Sequence, residues 1–302
     1  MAKPDGVLQD VPLAPYLTIR AGGKAEFFAK PKSRAELVEL LDWARREGLA
    51  VWVLGSGSNV LVPDEGLEGL VIKLGVPFQR AVFEGEEVCC GAAARLPALA
   101  AQAARHGLSG LEFGVSIPGS VGGAVRMNAG AYGGELGQVL RWVEVATAEG
   151  LSRREPAELG LSYRRSKLKP GLEVVTAARL KLRRGDPQRI RARLAELRKS
   201  RREAQPTGIK TFGSTFKNPP VGKTAGQLLA ACGAGGLQVG QARFSPKHAN
   251  FVENLGGATT AQILELIARG RELVKERFGV ELEPEVQLLG GQPFPWQGPS
   301  SG

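Results

Sequence analysis

Two glycine-rich stretches hold the residue types best suited to chemistry. The first, Gly55-Ser56-Gly57-Ser58-Asn59, directly follows the apolar run Val51–Leu54. At the end of a buried strand such a stretch turns backbone N–H groups and small hydroxyls toward one point, which suits an anion and in particular a diphosphate. It is not the common dinucleotide fingerprint, because Val60-Leu61-Val62-Pro63 follows as a strand where G-x-G-x-x-G would open a helix. Taken alone, a plain turn explains it at least as well. The second stretch, Gly114 to Gly134, places seven glycines in 21 residues among small side chains. A backbone without Cβ atoms can lie against a flat ligand, or can serve loop geometry alone. A ring system joined to a diphosphate would use both stretches.

The frame expected to carry them is α+β. Ala25–Ala29 reads as a strand. Ser33 opens a helix through a capping box with Glu36, with Leu37, Leu40, Leu41 and Ala44 on its apolar face and Gly48 as its stop. Strands are expected at Val51–Leu54 and near Val60–Val62, Leu70–Lys73, Ala81–Glu84 and Val88–Gly91. A helix opened by Pro97 and closed by Gly107 comes next, and Trp142–Ala148 and Val174–Leu182 read as strands. Asp186-Pro187 starts a basic helix to about Glu203, which Gln205-Pro206 ends. Helices over Ala225–Ala231 and Thr260–Phe278 follow, then short strands near Val280–Leu282 and Val286–Leu289. In the longer helix Ile263, Leu266, Ile267 and Val274 form one stripe, the mark of a packing element rather than a membrane anchor. The expected division is 1–75, 76–203 and 204–291, with a disordered tail over 292–302.

Composition bounds the setting. A content of 43 % hydrophobic residues supplies real cores. Met1 to Gly6 lacks a secretion signal's apolar stretch and no run of about 18 uncharged apolar residues occurs, so the expected compartment is the cytoplasm, with no membrane partner. Cys89 and Cys90 are adjacent and Cys232 stands alone, which predicts three reduced thiols and no metal site. The net charge of +10 is concentrated between Arg183 and Arg202. That cluster reads either as a solvated helix face or as a site for a polyanionic small molecule. Nucleic acid is disfavoured, since no aromatic residue interleaves with the arginines to stack a base.

Ile117-Pro118-Gly119-Ser120-Val121-Gly122-Gly123-Ala124 and Met127-Asn128-Ala129-Gly130-Ala131-Tyr132-Gly133 resemble the UDP-N-acetylenolpyruvoylglucosamine reductase family, whose flavin fold is shared with vanillyl-alcohol oxidase. The resemblance runs along most of the chain. Thr18-Ile19-Arg20-Ala21-Gly22-Gly23-Lys24-Ala25 is similar to the family's opening motif and Leu54 to Asn59 to its diphosphate loop. Tyr163 to Ser166, Gly213 to Pro219 and Glu283 to Val286 are similar to its three active-site motifs.

The resemblance implies a two-part FAD-binding module plus a C-terminal α+β substrate-binding domain. FAD contacts would fall on Leu54, Gly55, Ser56, Gly57, Ser58 and Asn59, and on Gly114, Ser116, Ile117, Pro118, Gly119, Ser120, Gly122, Gly123, Ala124, Asn128, Gly130, Ala131 and Gly134. The implied reaction takes hydride from NADPH through FAD to the enolpyruvyl double bond of a UDP-sugar, giving UDP-N-acetylmuramate for peptidoglycan. Negative charge then develops beside the substrate carboxylate. By type alone Arg164 is a surface arginine and Glu285 a solvent-facing acid. The resemblance makes Arg164 a fork on that carboxylate and Glu285 a protonated donor beside it. Ser214 becomes the proton donor to carbon. Lys217 and Asn218 would bind the nucleotide sugar, and Arg201, in the Lys199 to Arg202 cluster, would reach its diphosphate. His248 reads equally as a substrate neighbour or as a packed structural histidine.

Only 49 residues separate Arg164 from Ser214, so the segment that carries a substrate-covering tyrosine in one branch of the family is absent, and the chain is similar to the shorter branch. Two other readings stay open. A flavin oxidase would keep the fold, although the Gly55 to Asn59 loop lacks the histidine that often tethers FAD in such enzymes. A basic nucleic-acid binder would treat the glycine loops as incidental. A monomer is expected, with the two substrates taking turns in one cleft.

Overall fold

Local signals mark most of the helices. The computed structural model describes residues 3–297. Helices lie at Arg34–Arg46 (α1), Leu96–Arg105 (α2), Val121–Arg126 (α3), Pro156–Leu159 (α4), Pro187–Ala204 (α5), Ala225–Ala231 (α6) and Thr260–Phe278 (α7). In α1 the Ser33 hydroxyl accepts the Glu36 N–H at 3.1 Å, but the Glu36 carboxylate turns to the Lys32 N–H rather than closing the expected box. Full capping boxes open α6 with Thr224 and Gln227 and α7 with Thr259 and Gln262. Gly279, in the left-handed conformation, closes α7.

The chain folds as two compact units. The first comprises residues 1–9, 27–56 and 69–201. Its main sheet has five antiparallel strands in the order Gly150–Arg154, Leu140–Thr147, Val174–Lys181, Glu87–Gly91, Ala81–Glu84. Alternation along the second of these strands sends Val143 and Val145 into a core shared with Leu96 and Leu99 of α2, Val121 and Val125 of α3, and Ile190, Leu194 and Leu197 of α5. A second core joins α1, through Leu37, Leu40, Leu41 and Trp43, to Leu70, Ile72 and Val174. A separate four-stranded sheet has the order Leu8–Pro12, Lys24–Ala29, Leu67–Ile72, Val51–Val53, with the last two strands parallel.

The second unit comprises residues 10–26, 57–68 and 202–302. Gln238–Val239, Ala242–Phe244 and Val252–Asn254 form an antiparallel sheet. Helix α7 packs on it through Gly270, where a Cβ would sit 2.6 Å from Phe244 Cε2. Distant side chains complete the helix: the Asp64 carboxylate accepts the Thr260 and Ala261 N–H groups at 2.7 and 2.9 Å, an acid at the positive end of a helix dipole. The Asn254 amide donates to Ile19 O at 2.9 Å.

Several expectations need correction. Helix α3, which was not expected, lies within the long glycine-rich stretch, and a short 3-10 turn at Glu112–Ser116 leads into that stretch. Val280–Leu282 forms no strand, because the Arg271 guanidinium takes the Leu282 carbonyl that a neighbouring strand would have used. The strand expected near Val286–Leu289 is only Gln287–Leu288, paired in parallel with Val60–Leu61. Within the tail expected to be disordered, residues 292–297 place Phe294 in a buried position stacked on Trp296, and 298–302 lie outside the described residues. Burial pushes the Cys90 thiol up to about 12, so it is no nucleophile at neutral pH. Among the described residues no helix is long and apolar enough to cross a membrane, and no three His, Cys, Asp or Glu cluster to hold a metal.

Candidate active site

In the first unit the two glycine-rich stretches meet. A Cβ on Gly55 would lie 2.5 Å from Ser120 Oγ, so only glycine allows this approach. The Lys73 ammonium donates to Gly55 O at 2.6 Å, and burial, then Lys30, lowers its pKa. Leu54 is buried, with its N–H on Ile72 O at 2.8 Å. Ser120 caps α3, its hydroxyl accepting Gly123 N–H, while Val121 and Gly122 N–H donate to Ala94 O and Ala92 O. The first turn of α3 is therefore already satisfied by the protein.

The glycines of the second stretch divide by cause. Gly122 touches Ala92 and Gly134 touches Phe113 so closely that a Cβ would stand 3.0 and 2.8 Å from their side chains, and Gly114 and Gly130 are likewise hemmed in by Leu96 and Gly134. These four meet a packing requirement of the interior. Gly119 differs: a Cβ there would meet nothing nearer than Ile117 Cγ2 at 3.9 Å. Ser116 is buried, with its hydroxyl on Leu197 O. Pro118 and Ala124 flank the Ser120 cap on either side, Ala124 buried.

The end of α3 also sets Arg164. The buried Asn128 donates to Ser162 O at 3.2 Å, and Ser166 Oγ donates to Arg126 O at 2.7 Å. Ser162 and Arg165 exchange both backbone hydrogen bonds at 3.1 Å, leaving Tyr163 and Arg164 at the tip of a tight turn, with Arg164 at φ +55°. Its guanidinium donates to Gly130 O at 2.8 Å and lies 4.9 Å from the Tyr163 ring centroid. Gly130 and Ala131 pair with Gly134 and Glu135 in a small hairpin that has Tyr132 at its bend. Arg201 interacts electrostatically with Tyr132. Burial lowers its pKa and Tyr132 works against that shift. By contrast Arg191, Arg198, Lys199 and Arg202 are exposed on α5, the solvated face that the charge cluster allowed.

The second unit gathers three of the predicted motifs. Gly57, at φ +66°, approaches Tyr16 O so closely that a Cβ would stand 2.1 Å away, and Thr18 N–H holds its carbonyl at 3.0 Å. Asn59 Nδ2 donates to Glu285 O at 3.0 Å, and Asn59 O accepts the Gln287 N–H at 3.0 Å. Glu285 N–H donates to Thr215 O at 2.8 Å, directly after Ser214, and Lys217 N–H donates to Glu283 O at 2.9 Å. Ser58, Asn59, Ser214 and Glu285 thus lie on adjoining segments. Lys217 is ion-paired with Glu283, and Asn218 Oδ1 accepts the Ala225 N–H at 3.1 Å.

His248 is enclosed. Its Nδ1 accepts the Asn250 N–H at 3.3 Å, Gly226 leaves room for the ring, and the Phe251 ring meets it edge-on at 4.9 Å. Burial lowers its pKa. A base whose folded pKa is depressed stabilises the fold fully above its unfolded value near 6.5, and that contribution is lost as pH falls below it. Urea midpoints measured at pH 7.5 and 5.5 should therefore fall more in the parent than in His248→Gln. Equal drops would remove His248 from the acid sensitivity.

The diphosphate of a dinucleotide fits the first loop: the N–H groups of Ser56, Gly57, Ser58 and Asn59 find no acceptor among the described residues. Residues 25–154 match the model of an FAD binding domain, and residues 205–289 match that of the UDP-N-acetylenolpyruvoylglucosamine reductase C-terminal domain. The chain is 45 % identical to the UDP-N-acetylenolpyruvoylglucosamine reductase of Rubrobacter xylanophilus, covering 95 % of this chain and 99 % of that one. It is also 45 % identical to the enzyme of that name in Anaeromyxobacter dehalogenans, over 95 % and 86 % of the two chains. The chain belongs to the UDP-N-acetylenolpyruvoylglucosamine reductase family. A crystal structure of the reductase from Thermus caldophilus superposes with a TM-score of 0.81 at 41 % identity, covering 92 % of this chain and 97 % of that one.

As a member of the reductase family the chain is a flavin-dependent oxidoreductase with FAD as its cofactor, built from an FAD-binding module and the family's C-terminal domain. Three side chains that hydrogen-bond the backbone of these segments lie outside the reductase motifs: Asp64 at the start of α7, Lys73 on Gly55 and Asn250 beside Phe216. Their partners are far away in the chain or set by side-chain geometry, and no local pattern marks them.

Proposed function

We propose that the chain reduces the enolpyruvyl ether of UDP-N-acetylglucosamine to UDP-N-acetylmuramate with NADPH, a step in peptidoglycan precursor synthesis, as a cytoplasmic monomer. The observation that carries this reading is the backbone linkage of Asn59, Thr215 and Glu285 in one unit, which brings the diphosphate loop beside the serine and acid motifs. The FAD module is proposed to span 1–75 and 76–203, and the substrate domain 204–291.

Bound FAD would supply the hydride chemistry between NADPH and the enolpyruvyl double bond, with the Leu54 to Asn59 loop holding its diphosphate. Arg164 forks onto the substrate carboxylate and stabilises the enolate charge with a cation that cannot deprotonate. Glu285 assists in its acid form, donating a hydrogen bond. Ser214 gives its hydroxyl proton to the carbon that carries the charge, and a water proton restores the serine. Lys217 and Asn218 hold the nucleotide sugar. Arg201 serves its diphosphate, beside a hairpin that Arg164 also contacts.

The visible spectrum of the purified protein tests the reading. A flavin band should be bleached by NADPH and restored anaerobically by the enolpyruvyl substrate. Restoration by oxygen alone, with no response to that substrate, would favour an oxidase instead.

A further inference from the structure

The segment carrying Ser214 is held in place by an unusual partner. Asn250 is only 3 % exposed. Its Oδ1 accepts the Phe216 N–H at 2.9 Å and its Nδ2 donates to Phe216 O at 2.9 Å, so one side-chain amide satisfies both backbone groups of one residue. Its own carbonyl accepts the Thr215 N–H at 2.8 Å. Ser214 itself meets Phe251 in an isolated bridge. On the opposite edge, Glu285 and Lys217 N–H donate to Thr215 O and Glu283 O. The Ser214 segment is therefore clamped between two others, with the Asn250 amide standing in for a strand's peptide group. Thr215 offers no help, since its buried Oγ1 has no hydrogen-bond partner among the described residues. Asparagine supplies donor and acceptor at the required reach, and a buried backbone group left unpaired is costly.

We infer that Asn250 is a positioning residue that fixes the register of Ser214 against Glu285, so that the serine hydroxyl meets the substrate carbon. The inference rests on the proton-donor role proposed for Ser214. Asn250 touches neither substrate nor flavin in this scheme. Its effect is exerted through the strand it clamps, where a misplacement of about 1 Å can cost ~10²-fold in rate.

Asn250→Asp supplies the test. The carboxylate still accepts the Phe216 N–H but presents a second lone pair to the Phe216 carbonyl. Only the protonated acid restores that donor. The charged or titratable groups on the elements around it are Lys247, His248 and Glu253 on its own segment, the last paired with Arg243, and Lys217 with its partner Glu283, and Glu285, on the adjoining ones. Burial favours the neutral acid, so the variant should regain activity as pH falls. At pH 8 the expected result is kcat lower by about 10- to 10²-fold. Flavin content, the NADPH half-reaction and KM for NADPH should be unchanged. Relative to the parent, kcat should recover severalfold at pH 5.5, with a parallel recovery in thermal unfolding midpoint. Asn250→Leu, which removes both partners, should show no such recovery, and if it fails to fold the aspartate variant alone decides. A pH profile of Asn250→Asp parallel to the parent's, beside an impaired Ser214→Ala, overturns the positioning role alone. An unimpaired Ser214→Ala overturns the serine role itself, and the inference with it.

Discussion

Ser214→Ala should slow reduction of the enolpyruvyl substrate by roughly 10²-fold or more while leaving flavin reduction by NADPH nearly normal. A serine hydroxyl is a weak acid, so it can protonate carbon only when that carbon is strongly basic and the hydroxyl is already aimed at it. Backbone hydrogen bonds of 2.8 Å from Thr215 to Asn250 and from Glu285 to Thr215 hold the segment on both sides, and none of them involves the Ser214 side chain. Loss of the hydroxyl therefore removes the proton and little else. Stopped-flow absorbance separates the half-reactions: the flavin band should bleach at the parent's rate and return slowly. Two intact half-reactions would end the proposal for Ser214.

Removing the guanidinium of Arg164 should cost about 10² to 10³ in kcat/KM for the substrate, the usual loss for one preorganised donor. Arg164→Lys should not rescue it, because a point charge lacks the planar fork. The backbone supplies a control. At φ +55° Arg164 sits where a Cβ is strained by roughly 1 kcal/mol, so Arg164→Gly relieves strain while it removes the side chain. An Arg164→Gly protein as heat-stable as the parent yet catalytically crippled would place the loss in chemistry rather than folding. Activity within a few fold of the parent in all these variants would show that the carboxylate is neutralised elsewhere.

Much of this architecture is legible in the sequence because its causes are local. Period and caps mark α1, α2, α6 and α7 to within a residue or two, and Asp186-Pro187 marks the start of α5. Helix α3 is hidden by its own composition: Gly122 and Gly123 argue against a helix, and only Ser120, three residues before an N–H it accepts, signals one. In the sequence those glycines look like ligand contacts. Gly122 is small because Ala92 lies against it, and no single-sequence pattern separates closeness to a ligand from closeness to the protein's own backbone. Asn250 is silent for a related reason. Its partners, Thr215 and Phe216, lie more than thirty positions away, and nothing near Asn250 in the chain announces them. Arg164, Ser214 and Glu285 are ordinary by type and stand out only through the motifs around them.

The second unit is stitched from segments far apart in the chain. Residues 10–26 and 57–68 belong with 202–302, and the Asn254 amide reaches back 235 positions to Ile19. On the ribosome the amino-terminal segments emerge long before Asp64 has a helix to cap or Ile19 an amide to receive. At roughly 5–20 residues per second they wait on the order of ten seconds or more, exposed to chaperones and to wrong pairings. The first unit, ending at residue 201, has no such debt to later chain. Vectorial synthesis therefore favours a nascent state in which the first unit has closed while the second still depends on residues not yet translated.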